Sequence, residues 1–341
     1  MLKQLLAAGA ATALLCAQAA AALTTPSNFR AASYTSCDIP GTSGTEPTGI
    51  NDAGDVTGSY GDIDDNLSHG YVQAPDGTVT TFDPEGSYQT SPYGINDDGT
   101  ITGQWSPPGF GAVHGFVRSA SGTIASFDVP GTTASYPQSI NAKGTIAGYY
   151  SATSGTEGFI RAPGGKITMF NAAGLGAAYV GIDKSGAVTG IGGSPINGIE
   201  PAFVRAPDGT ITTFIATSLA LNTVPKSMNG AGTIAGTYAA GGAGNVPGFV
   251  RTADGTITTF EPAGTAGGIN VDGINSLGVI AGTFVDSKNI QHGFVRTANG
   301  KITKFDPPGS TGTYVSAINS AGTIVGTYDS SDGAHCYLRM P

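Results

Sequence analysis

Charge is scarce in this chain. Only 11% of its 341 residues are charged, with 15 Lys and Arg against 24 Asp and Glu, a formal charge of −9. No basic cluster occurs among them. Phosphate-backbone binding relies on Lys and Arg, so nucleic acid is excluded as a partner. A long apolar run is also missing: the stretch from Leu5 to about Leu15 is short for a bilayer span and is broken by small and polar residues. Helical periodicity is absent beyond the first two dozen residues, which excludes a helical or mixed fold. Cysteine is rare, at 3 residues, and histidine stops at 4.

Glycine is the opposite case, at 54 residues spread through apolar, strand-like runs. That distribution points to many tight turns in an ordered all-β protein rather than to a flexible linker. Ahead of it, residues 1–22 have the three parts of a secretory signal peptide: Lys3, the apolar run, and Ala-x-Ala sites at Ala17–Ala19 and Ala20–Ala22. Leu15 precedes Cys16 where a lipid anchor needs a small residue, so soluble export is the reading, secreted or periplasmic. Residues 23–31 form a short N-terminal segment.

One phrase dominates the rest. GINDAGDVTG (49–58), GINDDGTITG (94–103), SINAKGTIAG (139–148), GIDKSGAVTG (181–190), SMNGAGTIAG (227–236), GINSLGVIAG (273–282) and AINSAGTIVG (317–326) step by 45, 45, 42, 46, 46 and 44 residues. Each period holds four strand-like pieces; in the fifth repeat they are KSMN, TIAGTY, GFVRT and TITTF. An N-x-x-G turn joins the first two, and Asp-Gly or a relative joins the last two. Four strands per period of this length mark a propeller blade. The expectation is a seven-bladed, all-β propeller over residues 32–341. SYTSCDIPGTSGT, near the N-terminus, matches the fourth-strand phrase TTFDPEGSYQT, while the chain ends just after a third strand at HCYLRMP. Residues 32–39 should therefore supply the outer strand of the last blade, leaving no unpaired end blade.

Differences among the repeats carry further expectations. Third strands hold Tyr71, Phe116, Phe159, Phe203, Phe249, Phe294 and Tyr337 at one position, and fourth strands hold Phe82, Phe127, Phe170, Phe214, Phe260 and Phe305. These aromatics read as core. In the last blade Cys37 takes the phenylalanine position and Cys336 a third-strand glycine position. A bulged hairpin loop makes the two face each other, and export favours a disulfide over two buried thiols. All histidines share one repeat position, and His69, His114, His292 and His335 occur in the blades that carry Asp83, Asp128, Asp306 and Asp38 after the fourth strand. The other blades pair Glu157 with Asn171, Pro201 with Ile215 and Pro247 with Glu261. Such covariation implies structural His–Asp hydrogen bonds rather than a triad or a shared metal site. Asp62, Asp64, Asp65 and Asn66 offer oxygen ligands for calcium, but a solvated loop is the favoured reading and no metal or other cofactor is expected.

Loops between second and third strands share a face with the blade-to-blade crossings, and the variable segments gather there. Tyr88, Tyr93, Tyr136, Tyr179 and Tyr314 belong to the crossings, as candidates either to stack on sugars or to pack between blades, with packing favoured. GINDDGTITG together with SHGYVQ, VHGFVR and QHGFVR resembles the bacterial extracellular repeat proteins of the HAF type over roughly residues 32–340. The resemblance implies export and a propeller-like fold; it brings no defined catalytic residues. The leading functional expectation is a monomeric, non-enzymatic propeller that binds a glycan or protein by its loop-bearing face. A polysaccharide-active hydrolase or lyase using Asp52, Asp97, Asp98 or Asp183 is the alternative, and a structural envelope component without a ligand is another.

Overall fold

The computed structural model describes residues 32–341 apart from 66, 110, 154, 173–176, 193–197, 242–245 and the side chains of Tyr179 and Val180. The signal-peptide reading, residues 23–31 and Asn66 thus lie outside the described residues. From Ala32 to Pro341 the chain forms one compact unit. Among the described residues every regular element is a β-strand.

Repeats three to six each give one four-stranded antiparallel sheet, in sequence order from the inner strand outward. Repeat three, for example, runs Ser135–Ile140, Ile146–Ala152, Gly155–Arg161 and Ile167–Phe170. Repeats one and two share an eight-stranded sheet, whose halves are joined by a single parallel pairing, Ser68 with Gln89. The seventh repeat is completed by the N-terminal strand Ser33–Ser36, which pairs antiparallel with Gly333–Met340. Each inner strand lies against the next one in sequence, and Gly312–Ile318 of the last repeat lies against Thr42–Ile50 of the first. The arrangement is a closed, propeller-like ring.

Turn chemistry sets the repeat. The glycine of each N-x-x-G turn, from Gly54 to Gly322, has φ between 74° and 94°, a region that a side chain disfavours. The side-chain oxygen of the turn's Asn or Asp accepts from the backbone two and four residues on, as Asn229 does from Ala231 and Thr233. The glycine closing the phrase has another cause. The inner strand bulges just before the turn, between Pro47 and Gly49 or Pro225 and Ser227, for instance. A Cβ on Gly58 or Gly236 would overlap the inner-strand carbonyl of Glu46 or Val224. Proline is accepted at these bulges because the inner strand is a sheet edge and needs no N–H there.

Inner strands are longer than the sequence suggests. KSMN is the end of a nine-residue strand, Ala220–Met228. Four tyrosines read as crossing residues accordingly sit on inner strands: Tyr93, Tyr136, Tyr179 and Tyr314. Bulges let the pairing continue past the proline, where sequence alone suggests a break. Only Tyr88 precedes its strand, with its N–H bonded to Ser106 O at 2.7 Å.

Core packing is mostly between sheets. The fourth-strand ring of one repeat meets the third-strand ring of the next edge-on: Phe82–Phe116, Phe127–Phe159, Phe170–Phe203, Phe214–Phe249, Phe260–Phe294 and Phe305–Tyr337, with centroids 5.9–6.3 Å apart. Over each of the same fourth-strand rings lies a guanidinium from the following repeat, Arg118, Arg161, Arg205, Arg251, Arg296 or Arg339, at 4.8–5.2 Å. Burial lowers the pKa of Arg118, Arg161, Arg251 and Arg296. Guanidinium nonetheless stays charged, and a desolvated cation over a ring is worth roughly 2 kcal/mol.

Candidate functional site

The face that carries the crossings is organised around the histidines. In three hairpins the imidazole Nδ1 meets the aspartate after the fourth strand: His69–Asp83 at 2.6 Å, His114–Asp128 at 2.8 Å and His292–Asp306 at 3.0 Å. The fourth, His335–Asp38 at 3.1 Å, joins the two ends of the chain. An ionised carboxylate only accepts, so Nδ1 carries the proton in each pair. A loop carboxylate also faces Nε2 of three histidines: Asp65 at 3.3 Å from His69, Asp286 at 3.4 Å from His292 and Asp332 at 3.4 Å from His335. Burial works against protonation of His69, but its bonds to Asp83 and Asp65 outweigh it and raise the pKa. For His335 the bond to Asp38 is the largest influence, and the pKa is again raised.

Asp62, Asp65 and His69 bring one oxygen or nitrogen each within 4.8 Å of one another. Asp62 and Asp65 also cap their own loop, accepting from Asp64 N and Leu67 N at 2.8 Å. Asp64 gives its backbone N–H to this loop turn. The same Asp–His–Asp pattern in the sixth and seventh repeats assigns these groups to loop clasping.

The tyrosines divide. Tyr136 stacks on Tyr149, at 4.7 Å between centroids and 20° between planes, which is packing. Tyr93 is half-buried, and burial raises its pKa. Tyr88 lines a shallow hollow with Ser43, Asp62, Ser68 and Gln89. Tyr314 is exposed, its hydroxyl donating to Asp329 Oδ2 at 3.2 Å, and it borders a groove of about 250 Å³. Gly267, Gly268, Asn270, Val285 and Gln291 form much of the rest of that groove. For Tyr179 the backbone alone is described.

The opposite face is tied into a rim around the axis. Side-chain amides of Asn51, Asn96 and Asn141 donate to the carbonyls of Asn96, Asn141 and Asp183 at 2.9–3.2 Å. Those of Asn229, Asn275 and Asn319 donate to Asn275, Asn319 and, across the chain ends, Asn51 at 3.0–3.1 Å. Asp183 has no side-chain amide to give, so this series skips the step to Asn229. Its Oδ1 accepts instead from Ser185 and Ala187. Asp52 and Asp97 line the axial cavity at this face, but their Oδ1 atoms accept from Ser320 N at 2.7 Å and Asp52 N at 3.0 Å. Asp98 occupies the turn that follows Asn96 and donates its N–H to Asn96 Oδ1.

Sequence reasoning placed candidate acids at the mouth of the channel but missed the groups that line its interior. A cavity of about 430 Å³ is lined by Gln138, Ser139, Lys226 and Ser227 together with Ile95, Ile140, Ile182, Met228 and Ile318. Gln138 and Lys226 occupy the inner-strand bulge, three residues before the Asn of the turn. Around the ring that position holds Thr48, Tyr93, Gln138, Val180, Lys226, Asp272 and Ser316. The next position is Gly, Ser or Ala in every repeat, since the neighbouring repeat's isoleucine packs there: a Cβ on Gly273 would stand 3.0 Å from Ile318 Cγ2. A column so divergent, beside one so restricted, was the signal available in the sequence.

Asp272 accepts from Thr283 Oγ1 at 3.4 Å. The residue is partly exposed, but the protein packed around its carboxyl desolvates it. That desolvation raises its pKa to about 7 against the opposing charge of Lys226.

No family model and no curated protein matches the chain. Solved structures do. A catalytically inactive virginiamycin B lyase from Staphylococcus aureus, crystallised with quinupristin, superposes with a TM-score of 0.61 at 16% identity, covering 91% of this chain and 100% of the other. A streptogramin B lyase gives 0.59 at 12% identity, covering 91% and 98%. A prolyl endopeptidase gives 0.59 at 16% identity over 90% of this chain, but only 46% of its own length. At such identities the likeness is one of fold, and the fold they share with this chain is the β-propeller.

Proposed function

We propose that the chain is a seven-bladed propeller, exported from the cell, that binds a glycan through its loop-bearing face. The eight-stranded sheet counts as two blades, because its halves share one parallel pairing. The Cys37–Cys336 disulfide supports an oxidising compartment, secreted or periplasmic. The repeat phrase supports a place among the HAF-type extracellular repeat proteins.

The groove at Tyr314 carries the binding reading. An exposed aromatic ring, held in orientation by Asp329 and set beside Gln291 and Asn270, offers an apolar platform flanked by amide donors and acceptors. That is the chemistry a sugar ring needs, with C–H groups on one face and hydroxyls at the edge. Carboxylates named for a hydrolase are committed elsewhere: Asp52, Asp97 and Asp183 hold backbone N–H groups on the turn face. A glycan array probed with the intact protein tests the proposal. Ligands found there should bind at least ~10-fold more weakly to Tyr314→Ala, by the loss of one stacking platform. Binding that survives this substitution, or no binding to any glycan, sinks it.

A further inference from the structure

We propose that the axial channel holds a second site, for the carboxylate of an acidic sugar, with Lys226 as its charge partner, Gln138 as its hydrogen-bonding flank and Asp272 as the neighbouring acid whose charge bears on Lys226. The choice of a sugar rests on the glycan reading above; the carboxylate site itself does not.

Three observations lead there. The channel cavity, about 430 Å³, is of the size that takes one small ligand. Its polar groups are concentrated where the repeat is least repetitive: Gln138 and Lys226 reach it from the same bulge position that gives Asp272 in the next repeat. Beside Ser139 and Ser227, Ile95, Ile140 and Met228 give it aliphatic wall that suits the C–H face of a ring. Strand pairing holds the backbone of these residues in place, so little backbone ordering attends binding.

Sign of charge decides the ligand. The groups that bear on Asp272 are Lys226 from the fifth inner strand, Thr283 from its own second strand, and Tyr337 from the third strand of the seventh repeat. Lys226 is the one cation among them. With Asp272 protonated, the charge of Lys226 is left uncancelled and its side of the cavity is positive. With Asp272 ionised, its charge cancels that of Lys226 and repels a carboxylate. Anion binding should therefore take up a proton and weaken as pH rises through about 7. Asp52 and Asp97 line the turn-face mouth, so an anion would enter from the loop-bearing side.

Calorimetric titration of the intact protein with glucuronate, glucose and N-acetylglycine, at pH 6 and pH 8, tests the site. Glucuronate should bind at pH 6 and at least ~10-fold more weakly at pH 8, and glucose should not bind at either. Lys226→Met should abolish binding and Lys226→Arg retain it, while Asp272→Asn should bind with the pH difference removed. No glucuronate binding at pH 6, or undiminished binding to Lys226→Met in a protein with native circular dichroism, overturns the site. N-Acetylglycine binding as tightly as glucuronate overturns the sugar as source. Tyr314→Ala should leave this titration unchanged, so failure of the face and failure of the channel are told apart.

Discussion

Two kinds of junction hold neighbouring repeats together, and comparing them shows what closes the ring. At the six junctions made within the chain, a fourth-strand phenylalanine meets the next repeat's aromatic ring and lies under its arginine, as Phe260 does with Phe294 and Arg296. At the seam, where the seventh repeat meets the first, Cys37 stands in the phenylalanine position and packs in one core cluster with Tyr71. The residue in the arginine position there is Gln73. Ring and cation are replaced together, which is what their mutual dependence requires: a buried guanidinium without a ring has nothing to offset its desolvation. In place of both, the seventh repeat beside the seam is itself closed by a covalent bond between its third and fourth strands. Cys37 and Cys336 lie 5.0 Å apart at Cα, in a hairpin whose two strands come from opposite ends of the chain.

The largest effect should come from cutting that bond. Joining positions 299 residues apart restricts the unfolded chain by ~4 kcal/mol or more. A Cys37→Ser/Cys336→Ser variant should lose about that much in guanidinium denaturation, and reducing agent should do the same to the parent protein. Amides of Ser33–Ser36 should then exchange far faster than those of any other outer strand. Equal midpoints with and without reductant would show that hydrogen bonds alone hold the seam.

A reciprocal exchange at the arginine position sharpens the comparison. Arg296→Gln gives a within-chain junction the residue found at the seam and should cost ~1–2 kcal/mol, the worth of a desolvated cation–π contact. Gln73→Arg brings a guanidinium to a place where Cys37 offers no ring, and should destabilise rather than stabilise. Denaturation midpoints of the two variants decide the matter; a gain from Gln73→Arg would mean that the arginine acts without the aromatic.

Much of this was legible in the sequence and some was not. The turns, the hairpins and the pairing of Cys37 with Cys336 could be read because a tight turn or a glycine-for-ring exchange restricts residue type within a few positions. The length of the inner strands could not, since bulges hide behind prolines such as Pro47 and Pro225. Nor was the arginine–phenylalanine contact read, because it crosses between repeats, although Gln73 and Cys37 change together. The channel groups were hidden for the reverse reason. Lys226 and Asp272 fit no repeat rule, so a search for regularity passes over them, and only the ring geometry brings them side by side.

The smallest effect concerns pH, and it again separates the seam from the rest. His335 bridges the chain ends through Asp38, whereas His69 bonds within one hairpin through Asp83. Asp38 also accepts the N–H of Cys336 at 2.6 Å, so its carboxylate organises the seam whatever the state of the histidine. The pKa of His335 is raised, chiefly by its bond to Asp38, and a raised histidine stabilises the fold in its protonated form. That contribution is complete below the histidine's unfolded pKa, so long as Asp38 is ionised, and fades as pH rises through the raised folded value. Hydrogen exchange at Ser36 and Cys37, corrected for intrinsic rate, should therefore quicken across that interval. In His335→Gln the same amides should show no such step, and in His69→Gln the step should remain. If the step persists without His335, the seam owes its pH response to some other group, and the clasp between the chain ends is made by Asp38 and the disulfide alone.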